Sequence, residues 1–129
     1  MARSYRDLFV WQKARFLAVH VYQSTENFPK TEIYGLTSQI RRAAISAASN
    51  IAEGQGRLTP GEFTHFLGLA RGSLLEPDAQ LAIASDLNYL GTNQYAKLGH
   101  ELYQVLGLLN RLIESLPRKH PQGVVTLKL

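Results

Sequence analysis

The chain has 129 residues, a length typical of one domain, and its 45% hydrophobic and 19% charged residues exclude wholesale disorder. It contains no cysteine, which excludes disulfides, thiolate metal sites, iron–sulfur clusters and a thiol nucleophile. The net charge of +4 is concentrated at the ends: residues 1–15 and 117–129 each sum to +3, whereas residues 16–116 sum to −2. The basic pI of about 9.6 favours nucleic-acid binding, whereas the slightly acidic middle of the chain favours a soluble protein with basic ends, which is the interpretation by charge alone.

The N-terminal residues lead into a helix that carries charges and lacks the apolar core of a signal peptide. No run approaches the ~20 apolar residues that span a bilayer. We therefore expect a cytoplasmic protein.

The first predicted helix has apolar residues on more than one side. Its core stripe follows helical spacing and consists of Leu8, Trp11, Ala14, Ala18 and Val21. Three large apolar residues lie outside that stripe: Phe9, Phe16 and Val19. Pro29 ends the helix.

The second predicted helix begins near Thr31–Glu32 and is rich in small residues. Its core stripe is Ile33, Leu36, Ile40, Ala44, Ala47 and Ile51. A neighbouring apolar stripe is Tyr34, Ile45, Ala48 and Ala52. We expect Gly54 and Gly56 to end the helix, since glycine accepts the left-handed conformation that follows a last turn.

The third predicted helix begins at Thr59-Pro60-Gly61-Glu62, which combines an N-cap hydroxyl, a proline at the first position and a glutamate at the third. Its core stripe is Phe63, Phe66, Leu67, Ala70, Leu74, Leu81, Ala84 and Leu87. Pro77 lies inside this run and predicts a kink near residues 73–77. Gly91 is expected to close the helix, and Thr92 to cap the next one.

The fourth predicted helix has the most regular pattern and ends at Pro117. Its seam, with alternating steps of three and four, is Tyr95, Leu98, Leu102, Val105, Leu109, Leu112 and Leu116. With short connections, the four helices predict an all-α, antiparallel up-down-up-down bundle over residues 1–116, followed by a flexible basic tail at 117–129.

Several segments in order resemble a family of small four-helix bundles encoded in intervening sequences of bacterial 23S rRNA genes, which is similar to the accessory protein of diversity-generating retroelements. The resemblance rests on these segments: Val10–Ala14, Glu32–Leu36, Gln39–Ala43, Ser49–Gly54 with Gly56–Arg57, and Phe63 to Ser73. It implies a bundle that assembles into a ring, a homopentamer. It implies no known catalysis and suggests nucleic-acid binding. The chain departs from the family at Leu75–Asp78, where the family reads as uninterrupted helix.

A surplus of apolar surface on helices 1 and 2 independently indicates an interface, because monomers rarely leave such a patch bare. The alternative is that a small bundle hides both stripes by tilting its helices.

A polar stripe follows the second helix at steps of three and four: Gln39, Arg42, Ser46, Asn50, Glu53 and Arg57. It is interpreted either as a site that faces a ligand, RNA or a ring lumen, or as a hydrogen-bonded network within the bundle or between subunits. Glu53 and Arg57 are spaced as an i,i+4 ion pair.

The candidate phosphate-binding residues are six cations: Lys13, Arg15, Arg41, Arg42, Arg57 and Arg71. Arginine binds phosphate through a planar fork, and such contacts give affinity without reading sequence. The alternative interpretation is ordinary surface charge.

Catalytic and metal motifs are weak. Glu62 and His65 have the spacing of a di-iron motif, but that chemistry needs a second copy and two further glutamates. Gly54-Gln55-Gly56-Arg57 lacks the lysine, the Ser/Thr and the preceding strand of a phosphate loop. We expect no enzyme, no metal and no cofactor.

Two functional hypotheses remain open. The first is a non-enzymatic oligomeric bundle that binds RNA, DNA or a nucleoprotein partner. The second is a protein–protein interaction scaffold, a ring whose partner is a protein such as a polymerase, with no direct nucleic-acid binding.

Overall fold

The computed structural model describes residues 4–117, and this part of the chain contains four α-helices and no strand. The helices are α1 (Phe9–Thr25), α2 (Leu36–Gln55), α3 (Pro60–Asp86) and α4 (Thr92–Ser115). Two short 3-10 turns precede α1 and α2, at Tyr5–Asp7 and Lys30–Glu32. The expected all-α four-helix bundle is confirmed. The expected tail, beyond Pro117, lies outside the described residues.

The apolar core takes side chains from all four helices. Its largest fully buried members include Leu17, Ile40, Ile51, Leu67, Leu74, Leu81, Leu102 and Leu109. Burial of each such side chain contributes roughly 1.5–3 kcal/mol. The seam expected on α4 is confirmed at its centre, where Leu98, Leu102, Val105 and Leu109 are buried.

The buried stripe of α1 differs from the expected one. The residues that α1 buries are Val10, Ala14, Leu17, Val21 and Thr25. Leu8, Trp11 and Ala18 are only half-buried and pack at the edge of the core. Both stripes have helical spacing, and apolar residues on several sides of α1 leave its orientation undecided in the sequence.

The second helix begins at Leu36, later than the expected start at Thr31–Glu32. Ile33, expected in the core, is 54% exposed, and Tyr34 is 94% exposed. The chain turns at Gly35 (φ −113°, ψ −114°), and the Glu32 carboxylate accepts a hydrogen bond from the Leu36 N–H at 3.1 Å. The turn, capped by Glu32, therefore delays the helix.

Gly54 acts by allowing close packing and not by ending α2 in a left-handed turn. It lies inside the helix, and no glycine among the described residues has a positive φ. A Cβ atom at Gly54 would lie 2.8 Å from the Phe66 Cβ and 3.0 Å from the Phe63 Cδ1. The helix does end at Gly56, its C-cap, but Gly56 has φ −80°, so the expected left-handed conformation is wrong. Gly54 instead lets α3 approach α2.

The predicted N-cap of α3 is confirmed, because the Thr59 Oγ1 accepts a hydrogen bond from the Glu62 N–H at 3.1 Å. The helix continues through Pro77, and the expected kink stays a prediction. The left-handed residue after α3 is Asn88 (φ 63°), and Gly91 is the N-cap of α4, so the roles expected of Gly91 and Thr92 are wrong.

Contacts between side chains define how the helices are aligned. Along α2 and α3 the paired residues run in opposite directions: Gln39 with Gln80, Ser46 with Ser73, and Gly54 with Phe66. The same holds for α3 and α4, where Asp78 pairs with Tyr103 and Arg71 with Asn110. Within residues 4–117, none of the helices has the length and hydrophobicity that a membrane span requires.

Candidate functional site

The polar stripe of α2 lies against α3 over much of its length. The Ser46 and Ser73 hydroxyls are 3.0 Å apart, and the Asn50 amide donates to the Ser46 carbonyl at 3.0 Å. The Gln80 amide donates to the Gln39 Oε1 at 3.3 Å. These members of the stripe therefore form hydrogen bonds within the chain, as the structural interpretation predicts.

The end of the stripe holds the loop between α2 and α3. Arg57 forms an ion pair with Glu53 at 2.8 Å and approaches Glu62 at 3.9 Å. Its guanidinium also lies 4.6 Å from the centre of the Phe66 ring. The charge of Arg57 is therefore neutralised by neighbouring carboxylates, and the side chain stabilises the loop between α2 and α3.

Arg41 ties α2 to the end of α1. It donates to the Thr25 Oγ1 at 2.8 Å and to the Tyr22 carbonyl at 3.3 Å. The guanidinium stacks 4.5 Å from the centre of the Tyr22 ring. Arg71 similarly donates to the Asn110 Oδ1 at 3.0 Å and links α3 to α4.

The remaining three candidate cations have no such polar partner among the described residues. Arg42 is exposed on α2. Lys13 lies 5.4 Å from the centre of the Phe9 ring. Arg15 lies 5.6 Å from the Trp11 ring and 5.7 Å from the Phe16 ring. The six candidate residues are thus spread over α1, α2, the loop that follows α2, and α3.

The beginning of α1 carries a group of stacked aromatic and cationic side chains, which we call the Trp11 stack: Tyr5, Arg6, Trp11 and Arg15. Tyr5 meets Trp11 edge to face at 4.8 Å, and the Arg6 guanidinium lies 5.7 Å from the Trp11 ring. Neither arginine has a carboxylate within ion-pair distance in the part of the chain that the structure describes. Tyr5 and Arg6 are not among the predicted site residues, although the +3 charge of residues 1–15 indicated this end of the chain.

A cleft of about 500 Å³ begins at the Trp11 stack and runs between α1 and α2. From α1 it is lined by Ala18, Val19 and Tyr22, and from α2 by Ile45, Ala48, Ser49 and Ala52. Small side chains on α2 keep the floor open. No acidic residue lines the cleft.

A second group fixes the opposite end of the bundle. Glu32, besides capping α2, accepts a hydrogen bond from the Tyr89 hydroxyl at 3.0 Å, and Tyr89 packs against Phe28. The hydrogen bond to Glu32, with desolvation and the carboxylate charge, raises the pKa of Tyr89 above its ordinary 10.0. These contacts connect the turn before α2 to the turn before α4.

Two further clefts flank α4. One, between α1 and α4, contains a 2.6 Å contact between the His20 Nδ1 and Glu101. The other, between α3 and α4, is bordered by a hydrogen bond of 2.8 Å from the Tyr103 hydroxyl to Asp78. That bond raises the pKa of Tyr103. His65 packs edge-on against the Phe66 ring, whereas Glu62 takes part in the N-cap of α3. The two residues therefore have separate structural roles.

The arrangement offers cations held by aromatic rings beside an apolar cleft, on a bundle of four helices. The fold places the chain in the class of small helical bundles. Residues 6–111 match the family model described as 23S rRNA-intervening sequence protein. The chain belongs to this family.

The fold is similar to the crystal structure of a protein of unknown function from the S23 ribosomal protein family of Bacteroides thetaiotaomicron VPI-5482. The TM-score is 0.74 at 22% identity, over 82% of this chain and 99% of that chain. At this identity the likeness shows the fold alone. A search of curated proteins found no match.

Proposed function

We propose that this chain is a non-enzymatic, oligomeric bundle of the cytoplasm that binds nucleic acid, alone or with a nucleoprotein partner. One observation carries this proposal. Arg6, Lys13 and Arg15 lie over aromatic rings near the beginning of α1, and they, like Arg42, have no carboxylate within ion-pair distance among residues 4–117. We call them the free cations.

The free cations suit phosphate better than the other candidate residues do. Phosphate contacts need no base-specific geometry, only positive charge that is not already neutralised. Arg57 is neutralised by Glu53, and Arg41 uses two of its donors within the chain. The rings beside Arg6, Lys13 and Arg15 restrict these side chains without satisfying their N–H donors.

Exposed aromatic side chains support self-association. Phe9 is 58% exposed and Phe16 is 51% exposed, and their separation of seven residues places them on one side of α1. On α2 itself, by contrast, Ile45 is the single exposed large apolar residue. The expected surplus of apolar surface therefore lies mainly on α1. A homopentameric ring, as the family resemblance implies, would repeat the free cations around an axis and raise avidity.

A matched pair of charge variants tests the proposal. The first changes the four free cations to glutamine, and the control changes four other cations to glutamine: Lys30, Lys97, Arg111 and Lys128. Both variants lose the same charge. Binding of a labelled structured RNA and of a matching DNA duplex is measured at ~50 and ~200 mM salt.

The wild-type chain is expected to bind with micromolar affinity or better at ~200 mM salt. The first variant should lose at least about tenfold in affinity, while the control stays within about threefold. Equal losses of affinity in both variants would mean that binding depends only on the general positive charge of the surface and not on the free cations. No binding at ~200 mM salt by the wild-type chain would refute the proposal.

A second candidate function is a scaffold for a protein partner without nucleic-acid contact. It is favoured by three half-exposed apolar residues on α3: Leu69, Leu75 and Ile83. This function would be preferred if the wild-type chain bound neither RNA nor DNA while a Leu75→Asp/Ile83→Asp variant lost a protein partner that the wild-type chain retains.

A further inference from the structure

We infer that the cleft between α1 and α2 binds the bases of an unpaired nucleic-acid strand, with the Trp11 stack at its entrance. This inference rests on the proposed function and adds to it the class of ligand, a single strand in preference to a duplex.

Along its length, the cleft is better suited to contact nucleic-acid bases than phosphates. Its walls are the apolar side chains of Ala18, Val19 and Ile45, and no carboxylate lines it. In a duplex the base faces are stacked inside the helix, so only an unpaired strand can place them on such a surface. A strand in the cleft would therefore bury base surface that a duplex keeps hidden.

The entrance supplies the two groups that single-strand sites combine. Trp11 and Tyr5 are aromatic, and Arg6 and Arg15 lie within 6 Å of the Trp11 ring centre with no anionic partner among the described residues. A base stacks on either an aromatic ring or a guanidinium plane, and the remaining guanidinium N–H groups bind the adjoining phosphate. The charge of the entrance is complementary to a strand and the apolar floor to its bases.

The cleft has a second aromatic–arginine pair near its far end. Tyr22 lines the cleft, and Arg41 stacks on its ring at 4.5 Å. Eleven residues of helix separate Trp11 from Tyr22, about 16 Å, which corresponds to roughly five nucleotides at a stacked rise of about 3.4 Å. The surface between the pairs therefore has the length of a short single-stranded segment.

Trp11 is the single tryptophan of the chain, so its fluorescence reports on the cleft directly. The full chain is titrated with a 15-nucleotide oligothymidylate, which has no secondary structure, and with a 15-base-pair duplex at the same salt. Affinity is measured in parallel by the anisotropy of labelled strands. The oligothymidylate should quench Trp11 emission and bind at least about tenfold more tightly than the duplex.

Two variants separate stacking from folding. Trp11→Leu should weaken oligothymidylate binding at least about fivefold with little change for the duplex. Arg15→Gln, on an exposed side chain, keeps the reporter and should weaken both the quenching and the affinity for the single strand. Tyr34→Leu is the matched control, because Tyr34 is an exposed aromatic residue outside the cleft and should leave binding unchanged.

Each other outcome is decisive. Equal affinity for strand and duplex with unchanged Trp11 emission overturns the inference and leaves the proposed function standing. Absence of binding to either overturns both. A shift of Trp11 emission with protein concentration alone, and none with oligothymidylate, assigns the cleft to contact between copies of the chain and overturns the inference.

Discussion

Replacing Gly54 with alanine tests the close approach of α2 and α3. The new Cβ would lie 2.8 Å from the Phe66 Cβ and 3.3 Å from the Phe63 carbonyl oxygen, atoms that a change of rotamer does not move. Overpacking of this kind costs about 1–3 kcal/mol, whereas alanine gains about 1 kcal/mol over glycine in a helix interior. Because both contacts involve backbone or Cβ atoms, we take the upper part of the range and expect a net loss of about 1–2 kcal/mol.

Gly68→Ala is the matched control. Gly68 lies inside α3, and a Cβ there would meet nothing within 4 Å. This variant should gain about 0.5–1 kcal/mol, because the helix propensity acts alone. Urea unfolding followed by circular dichroism, at one protein concentration, measures both changes. Stabilisation of the chain by Gly54→Ala to the same extent as by Gly68→Ala would refute the packing explanation.

Changes at three further positions have defined outcomes. Arg41→Ala should destabilise the chain by about 2 kcal/mol, because a charged donor to Thr25 is lost. Arg41→Lys should recover little of that stability, because lysine lacks the planar guanidinium. Full recovery by lysine in urea unfolding would contradict a role for the planar geometry of the guanidinium. Trp11→Ala should lower the free energy of unfolding by about 1–3 kcal/mol, because Trp11 is half-buried and a fully buried ring would lose ~3–5 kcal/mol. The same urea unfolding assay decides between the two ranges. The Tyr89–Glu32 hydrogen bond raises the Tyr89 pKa, so its stabilisation is present below pH 10 and lost as the pH rises through the raised pKa. Glu32→Gln should lower that pKa, and identical phenolate absorbance titrations of the two proteins would contradict this.

Helix number and the core of α4 follow from periodicity alone, since the α4 pattern has one wide apolar face. The orientation of α1 could not be predicted in the same way. Val10 and Trp11 are adjacent, and either one begins an apolar stripe with helical spacing. The packing of α1 against its neighbours decides the matter, and that information is not local.

The candidate site was predicted in its residue types more than in its arrangement. The polar stripe was predicted from spacing on α2 alone, whereas the hydrogen-bond partners of Ser46 and Gln39, which are Ser73 and Gln80, lie on α3 and depend on the alignment of two helices. The sequence does not distinguish Arg41 from Arg42, whereas in the structure one ties α1 to α2 and the other is free. Tertiary contacts thus determine which charges are available for a ligand.

The salt dependence of nucleic-acid binding tests the central claim most directly. Each neutralised phosphate contributes about −0.9 to the slope of log K against log salt for a duplex and about −0.7 for a single strand. Four free cations per chain therefore predict a slope of about −3 or steeper, and their replacement by glutamine should bring it close to zero. A wild-type slope near zero, or an unchanged slope in that variant, would contradict phosphate binding by the free cations.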